Sequence, residues 1–287
     1  MQDDSQRLDK LVATHVPDGS RSLAVKLISE GKVSVNQKVV TKSSTRVSKQ
    51  DNLSVNFKAE DLRSDNIDLP IIYEDDTCLV IDKPSGIITH PKGAYYREGS
   101  VASFARSKIS PDLAGNRAGI VHRLDRGTSG IIIVAKNEES RRYLTNQFAK
   151  RLTNKTYYSI ISGKLKKDKA RINMPIERSP KKPSTFKTGA NGKQASTTYE
   201  LIASNDKYSL VKLSPETGRT HQLRVHLKAI GHPIVGDTIY GGEQAERLML
   251  HAYKLEINIK DKGRMSFTSK LPKEFSRYIS TSGLKNE

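Results

Sequence analysis

The segment VHRLDRGTSG, residues 121–130, places an acid between two arginines just before an apolar run, IIIVA. Asp125 lies between Arg123 and Arg126, and nearby positive charge favours the charged form of a carboxyl group. A carboxylate that stays ionised at neutral pH is a poor proton donor. It can instead act as a nucleophile, an electrostatic stabiliser, a metal ligand or an ion-pair partner, and this segment alone leaves all four roles open.

The pattern around Asp125 predicts two strands joined by a short connection. Residues 121–124 and 131–135 have the apolar character of strands, and the connection contains Gly127 and Gly130, which permit tight backbone geometry. Asp125 would then stand at a strand end, where a rigid scaffold positions a loop residue. A turn aspartate bonded to its own backbone is the commoner explanation of such an acid, so other motifs must decide.

The motifs of common nucleotide, kinase and zinc sites are missing from the sequence. There is no G-x-x-x-x-G-K-[ST], no G-x-G-x-x-G after a strand, no H-E-x-x-H and no paired C-x-x-C. HRLD resembles the kinase H-R-D only superficially, because D-F-G is absent as well. Three histidines without a carboxylate at matching spacing are interpreted as structural or RNA-facing: His221, His226 and His232. We therefore expect no metal and no nucleotide cofactor.

The charge of the chain indicates a polyanionic partner. Lys and Arg total 49 against 31 acids, a formal net charge of +18. Residues 141–193 contain 15 Lys and Arg against two acids, a local balance of 15 − 2 = +13. Such a surface is the footprint of phosphate-backbone binding, which favours RNA or DNA. A solvated basic face is the alternative, and an anionic membrane is disfavoured because no amphipathic basic helix with an aromatic face accompanies the charge.

Length and composition favour a soluble chain with one large and one small domain. The sequence has 287 residues, and no segment approaches the roughly 18 consecutive apolar residues of a membrane helix. The amino terminus, MQDDSQRLDK, lacks the basic and apolar regions of a secretory signal. One cysteine, Cys78, excludes an internal disulfide framework. We expect a cytoplasmic monomer without a disulfide or membrane partner.

Residues 1–57 are predicted to form a small domain. Leu8, Leu11 and Val12 share one helical face. Ser20 can cap a second helix that ends at Gly31, and the alternation in KVSVNQKVV predicts a hairpin after it. Residues 58–70 are polar and locally acidic without strong periodicity, which is typical of a linker.

Residues 71–287 are predicted to form an α+β domain with an extended mixed, mainly antiparallel sheet. Short apolar runs bounded by turns outnumber helical patterns and do not alternate strictly with them. The clearest helix is SRRYLTNQFAKRL, in which Leu144, Phe148 and Leu152 share one face.

Several motifs occur together in the order and spacing of a known family. The chain resembles the pseudouridine synthases of the RluA type, and its first domain resembles the S4 RNA-binding domain. Besides HRLDRGTSG, the matching stretches are EDDTCLVIDKPSGIITHP (74–91), KTYYSIISG (155–163), GKQASTTYELI (192–202) and TGRTHQLRVHLKAIGHPIVGD (217–237).

The resemblance implies an isomerase that converts uridine to pseudouridine in RNA without a metal or an organic cofactor. Asp125 matches the essential aspartate, Tyr157 the aromatic residue against the target base, and Arg224 the basic partner of the aspartate. The residues expected to contact RNA are Arg123, which matches the side chain that enters the RNA stack, His122, and the S4-like residues Arg7, Arg21 and Lys26. The family more often has alanine at the position of Ser159, and Tyr158 follows the expected tyrosine, so either ring could meet the base.

The chemistry of the reaction agrees with this site. The base must be detached from N1, rotated and rejoined through C5, which requires an ionised carboxylate near the sugar and a dry pocket. Nucleophilic attack at C1′ and proton removal at C2′ through a glycal are both compatible with one acid, and Tyr157 or water would take the C5 proton. The uridine must be flipped out of the RNA to reach the pocket. Large-subunit ribosomal RNA is the expected substrate.

Three alternatives stay open at the level of sequence. The first is transfer RNA as the substrate. The second is a non-catalytic RNA-binding factor in ribosome assembly, which the presence of Asp125 disfavours. The third is a glycoside-cleaving enzyme, which normally needs two carboxylates; Asp237 could approach in space, although its position suggests a structural role.

Overall fold

A first hydrophobic core lies entirely within the N-terminal part of the chain. The protein was studied as a computed structural model, which describes residues 5–16, 20–48, 50–57, 67–91, 98–113 and 117–284. Leu8, Val12, Leu27 and Ile28 are buried at this core. The elements around it are β1 (Ser5–Arg7), α1 (Leu8–Ala13), α2 (Arg21–Ser29), β2 (Val33–Val35), β3 (Lys38–Val39), β4 (Arg46–Ser48) and β5 (Leu53–Val55).

Local sequence explains these N-terminal elements. Ser20 Oγ accepts a hydrogen bond from Leu23 N–H at 3.3 Å and so caps α2. Strands β2 and β3 are joined by Asn36 and Gln37, whose φ angles of 50° and 66° are the positive values that a tight hairpin turn needs. Both predicted helices and the predicted hairpin are present.

The predicted linker, residues 58–70, coincides only in part with described residues, since 58–66 lie outside them. Its last residues already belong to the next domain. Leu69 is buried in a hydrophobic cluster with strands of that domain, and Pro70 O accepts a hydrogen bond from Asp82 N–H at 2.9 Å. The contacts of the larger domain therefore begin before residue 71.

A long sheet organises the larger domain. The elements of this domain are β6 (Ile71–Glu74), β7 (Cys78–Lys83), α3 (Val101–Ala105), β8 (Ser129–Ala135), α4 (Glu138–Ala149), β9 (Asn154–Ser162), β10 (Lys169–Asn173), β11 (Ile176–Arg178), β12 (Phe186–Thr188), β13 (Ser196–Ser204), β14 (Tyr208–Pro215), α5 (Gln222–Ala229), β15 (Leu250–Ile259), β16 (Gly263–Thr268) and α6 (Lys273–Thr281). Among the described residues the long sheet has nine strands in the order β10-β13-β14-β9-β15-β8-β7-β6, with β16 paired to β15, and only the β8–β15 pair is parallel. This confirms the predicted mixed, mainly antiparallel sheet.

Strand β8 is the centre of the Asp125 region, and the sequence prediction around it was partly wrong. Residues 121–124 do not form a strand. Ile133 N–H, on the edge of β8 that such a strand would pair with, instead donates to His122 Nε2 at 2.9 Å. A side chain thus takes the place of a backbone acceptor, which an apolar run in the sequence does not reveal.

Helix α4 is also shorter than predicted. It ends at Ala149. Leu144 is buried and Phe148 packs against the same core cluster, but Leu152 lies beyond the helix and is 49% exposed.

At Gly130 the backbone of β8 lies close to that of β15, just after the loop that contains Asp125. The φ of Gly130 is +105°, and a Cβ atom there would lie 2.2 Å from Ala252 O. Gly130→Ala should lower the free energy of unfolding by at least about 3 kcal/mol, because strain and a backbone clash add. Urea denaturation followed by circular dichroism measures this. Gly218→Ala, where a Cβ would meet nothing within 4 Å, is the control; equal stability of the two variants would contradict the prediction.

Candidate active site

Asp125 begins a tight turn that leads into β8. Thr128 N–H donates to Asp125 O at 3.1 Å and closes the turn. The preceding residue is held on both sides of its peptide unit: Thr89 Oγ1 donates to Leu124 O at 2.8 Å, and Leu124 N–H donates to Thr89 Oγ1 at 3.1 Å. These contacts fix the backbone on either side of Asp125, so its side chain extends from a rigid segment of the chain.

Lys83 ties the same turn to the segment that follows β7. Its side chain is completely buried, and Nζ donates to Pro84 O at 2.9 Å, Ile87 O at 2.8 Å and Arg126 O at 3.3 Å. Burial lowers the pKa of Lys83 to about 7, and the charge of Arg247 adds to the shift. Three carbonyl acceptors match the three N–H donors of an ammonium group. The sequence analysis missed this residue, although a lysine that ends an apolar strand was a signal.

Arg224, on α5, lies between two carboxylates. Its Nε and Nη2 donate to Asp237 at 2.7 and 2.8 Å, and Nη1 lies 3.4 Å from Asp125 Oδ2. Burial is the largest single effect and lowers the pKa of the guanidinium, but the hydrogen bonds to Asp237 and the charges of Asp237 and Asp125 together raise it. A bidentate pair fixes the plane of the guanidinium, so Asp237 aims the remaining nitrogen at Asp125. The sequence had suggested a structural role for Asp237.

His221 is a further neighbour of Asp125, with Nε2 3.9 Å from Oδ1. Its Nδ1 lies 2.7 Å from Tyr240 Oη, which accepts from Phe186 N–H at 3.0 Å. The tyrosine keeps its own proton and can donate it to Nδ1, and in that tautomer the imidazole proton lies on Nε2, toward Asp125. Burial lowers the pKa of His221, against the opposing effect of the Asp125 charge. The sequence analysis had interpreted this histidine only as structural or RNA-facing.

A cleft of about 460 Å³ opens in front of these groups. Asp125, Tyr157, His221 and Arg224 all line it. Burial, and then the charge of Asp125, raise the pKa of Tyr157, so the neutral phenol is its resting form. Successive side chains of a strand point to opposite faces, and Tyr158 packs edge-on against Tyr253, with ring centroids 5.0 Å apart. Of the two tyrosines, Tyr157 is the one that faces Asp125.

The residues beside Asp125 in sequence have different surroundings. Arg123 is exposed at the cleft. Arg126, which the sequence suggested would favour the charged form of Asp125, forms an ion pair with Glu98. His122 stacks on Phe148 with ring centroids 4.5 Å apart, and burial lowers its pKa to about 3. The bond from Ile133 and this packing fix the ring of His122, which also lines the cleft, so its predicted contact with RNA stays a prediction.

The N-terminal candidates for RNA binding are partly engaged within their own domain. Arg7 and Arg21 both reach the buried carboxylate of Asp9, at 2.9 and 3.0 Å, and the hydrogen bond from Arg7 is the main reason that the pKa of Asp9 lies far below its usual value. Lys26 lies 3.8 Å from Glu30. The side chains of Arg7, Arg21 and Lys26 remain 41%, 54% and 45% exposed, so all three still present charge to solvent.

The part of the chain that the structure describes contains no group of three or more His, Cys, Asp or Glu side chains that could hold a metal ion. None of its helices has the length and apolar character needed to cross a bilayer.

Comparisons with known proteins identify the family of this chain. The family model for RNA pseudouridylate synthase matches residues 77–229, and the S4 domain model matches residues 6–53. An uncharacterized RNA pseudouridine synthase of Aquifex aeolicus is 39% identical over 83% of this chain and 78% of its own length. Ribosomal large subunit pseudouridine synthase D of Borreliella burgdorferi is also 39% identical, with the same coverage.

Solved structures show the same fold. Human RNA pseudouridylate synthase domain containing 1 is 28% identical with a TM-score of 0.59, over 71% of this chain and 84% of that one. Human RNA pseudouridylate synthase domain containing 4 has a TM-score of 0.61 at 23% identity, over 75% and 94% of the two chains. The chain therefore belongs to the RNA pseudouridylate synthase family: it is an isomerase that acts on RNA and carries an S4 RNA-binding domain.

Because Arg224 lies between two carboxylates, we expect its removal to lower the free energy of unfolding. Arg224→Met leaves the Asp237 carboxylate buried without its cation, which should cost about 3–5 kcal/mol in the free energy of unfolding. The double variant Arg224→Met/Asp237→Leu removes the orphaned charge and should recover at least about 2 kcal/mol of that loss. Urea denaturation of both proteins measures the difference. A double variant no more stable than the single one would contradict the role of Asp237 as the main partner of Arg224.

Proposed function

We propose that this protein isomerises specific uridines of large-subunit ribosomal RNA, with Asp125 as the catalytic carboxylate. The observation that carries the proposal is an acid that lines a deep cleft, with Arg224, His221 and Tyr157 around it. The substrate is suggested by relatives such as ribosomal large subunit pseudouridine synthase D of Borreliella burgdorferi. Because ribosomal RNA is the proposed substrate, we also propose the cytoplasm as its compartment.

In the proposed reaction the N1–C1′ bond of uridine breaks and a C5–C1′ bond forms. Asp125 either attacks C1′ or removes the proton from C2′ to give a glycal, and in both cases it is regenerated when C5 joins the sugar. Arg224 compensates the negative charge of the carboxylate and fixes its direction. The Nε2–H of His221 is a second donor on the same side.

A uridine in folded RNA must be flipped to reach Asp125, at a cost of a few kcal/mol. Backbone contacts from the basic surface are proposed to offset that cost, since phosphate contacts supply most of the sequence-independent affinity for nucleic acids. Many cations of residues 141–193 are exposed, among them Lys164, Lys166, Lys167, Lys181 and Lys182. Arg123 at the cleft is proposed to fill the space in the RNA stack that the uridine leaves. For Arg7, Arg21 and Lys26 we propose contacts to the RNA backbone.

Tyr157 is proposed to hold the flipped base and to relay a proton. Stacking of an aromatic ring on a base is worth roughly 1–3 kcal/mol. The phenol is protonated at rest because its pKa is raised, so it can accept the C5 proton only if it passes its own proton on in the same step. Asp125, whose charge acts on this phenol, is the proposed acceptor. Loss of the C5 proton leaves a negative charge on N1, which takes up a proton from solvent, and Asp125 releases its own proton to solvent when the product leaves.

Asp125→Asn tests the catalytic proposal. The variant should bind RNA within about twofold of the wild type, because the side chain keeps its size, but product formation should fall by at least about 10³-fold. Carbodiimide-based mapping of pseudouridine in total RNA is the measurement, in cells without the gene and in the same cells carrying each variant. Asp206→Asn, an exposed turn residue, is the control and should restore modification. Identical maps with and without the gene would overturn the proposal.

A pair of tyrosine variants tests the relay. Tyr157→Phe keeps the ring, so RNA affinity should be unchanged within about twofold, but loss of the hydroxyl should slow product formation by about 10²-fold. Tyr158→Phe makes the same chemical change on the opposite face of β9 and should have little effect. Single-turnover assays on an RNA fragment that contains a mapped uridine give both rates. Equal rates for the two variants would contradict a role for the Tyr157 hydroxyl.

A further inference from the structure

Two cations line the cleft away from the Arg224 cluster and have no acidic partner among the described residues. They are Arg151, after α4, and Lys155, on β9. Lys155 precedes Tyr157 by two residues, so both side chains leave the same face of the strand, about 7 Å apart along it. Whatever occupies the cleft at Tyr157 therefore has Lys155 as its neighbour along the strand.

The surroundings of Lys155 are unusual for a lysine. Its side chain is half-buried in the cleft wall, and burial, followed by the charge of Arg151, lowers the pKa of its ammonium group. Within the described residues neither its side chain nor that of Arg151 takes part in an ion pair or a side-chain hydrogen bond. Lysines are rarely buried without a partner. Arg151 is exposed, and its charge acts on Lys155, so the two form a site with uncompensated positive charge.

The backbone of Arg151 holds a conformation that arginine does not favour. Leu152 N–H donates to Gln147 O at 2.9 Å and Arg151 N–H to Phe148 O at 3.2 Å, which is the Schellman ending of a helix. Arg151 holds the left-handed position of this motif, with φ 59°, where glycine is favoured and another residue costs roughly 1 kcal/mol. A helix C-terminus also favours a cation, but this does not account for Lys155, which lies in a strand.

We propose that Arg151 and Lys155 form a subsite for a backbone phosphate of RNA, that of a nucleotide next to the target uridine. The inference rests on the proposed function, which sets the uridine between Asp125 and Tyr157. A phosphate supplies the missing negative charge, and a lysine beside an arginine gives it both a point charge and a fork of donors. The subsite would fix the register of the RNA strand and so determine which base enters the cleft.

The dependence of RNA binding on salt tests this subsite. Each phosphate contact contributes about 0.7 to the slope of log K against log salt for a single-stranded segment. Arg151→Gly and Lys155→Met, made in the full chain, should each make the slope shallower by up to about that amount, because both cations act on one phosphate, whereas Lys155→Arg should keep the wild-type slope. The probe is a large-subunit ribosomal RNA transcript. Wild-type slopes for both Arg151→Gly and Lys155→Met would overturn the proposal.

Two controls separate this result from loss of structure and from loss of the reaction. Glycine suits the backbone at position 151, so Arg151→Gly should melt at or above the wild-type temperature while it binds RNA less well. If Lys155→Met does not fold, Arg151→Gly alone decides. Lys273→Met removes one charge from a residue that does not line the cleft and should leave the slope unchanged. Because binding is measured without turnover, a failure of the isomerase proposal would not alter these slopes.

Discussion

The site depends on one guanidinium group held between two carboxylates. Asp237 is almost completely buried and needs a cation, which it finds in the bidentate pair with Arg224 at 2.7 and 2.8 Å. Removing either member would leave an uncompensated buried charge, which proteins tolerate poorly. The geometry leaves only the third nitrogen for Asp125, at the longer distance of 3.4 Å. Asp125 is therefore oriented by its cation without being locked to it, as the proposed reaction with the sugar requires.

The sheet brings the parts of the site together from distant positions in the sequence. Asp125 precedes β8, Tyr157 lies on β9, and Arg224 belongs to α5, which follows β14. Strand β15 lies between β8 and β9 and contacts both. The backbone of β15 lies close to Gly130, just after the Asp125 turn. Lys83 and Thr89 bind the carbonyl groups of Arg126 and Leu124, on either side of Asp125. A strand and a helix thus position Tyr157 and Arg224, and a short turn carries Asp125.

The sequence predicted most of this arrangement where the signal was local or carried by a motif. The Ser20 cap, the Asn36-Gln37 turn and the alternation of apolar residues follow from neighbours in the chain, and the family resemblance carried by five motifs implied Asp125, Tyr157 and Arg224. What failed depends on contacts between distant residues. His122 bonds to Ile133 and so ends the strand predicted for residues 121–124, and His221 meets Asp125 only because α5 packs beside the turn. The choice between Tyr157 and Tyr158 needed the strand's orientation in the sheet.

The most direct measurement of the central claim is a crystal structure of the protein with an RNA that carries 5-fluorouridine at a mapped position. Fluorine replaces the hydrogen that C5 must lose, so the reaction should stop with the base in the cleft. We expect the ring extruded from the RNA and lying against Tyr157, with its ribose C1′ beside Asp125 and Arg224 still bound to Asp237. A base that stays stacked in the RNA, or one bound elsewhere on the protein with the cleft empty, would contradict the account.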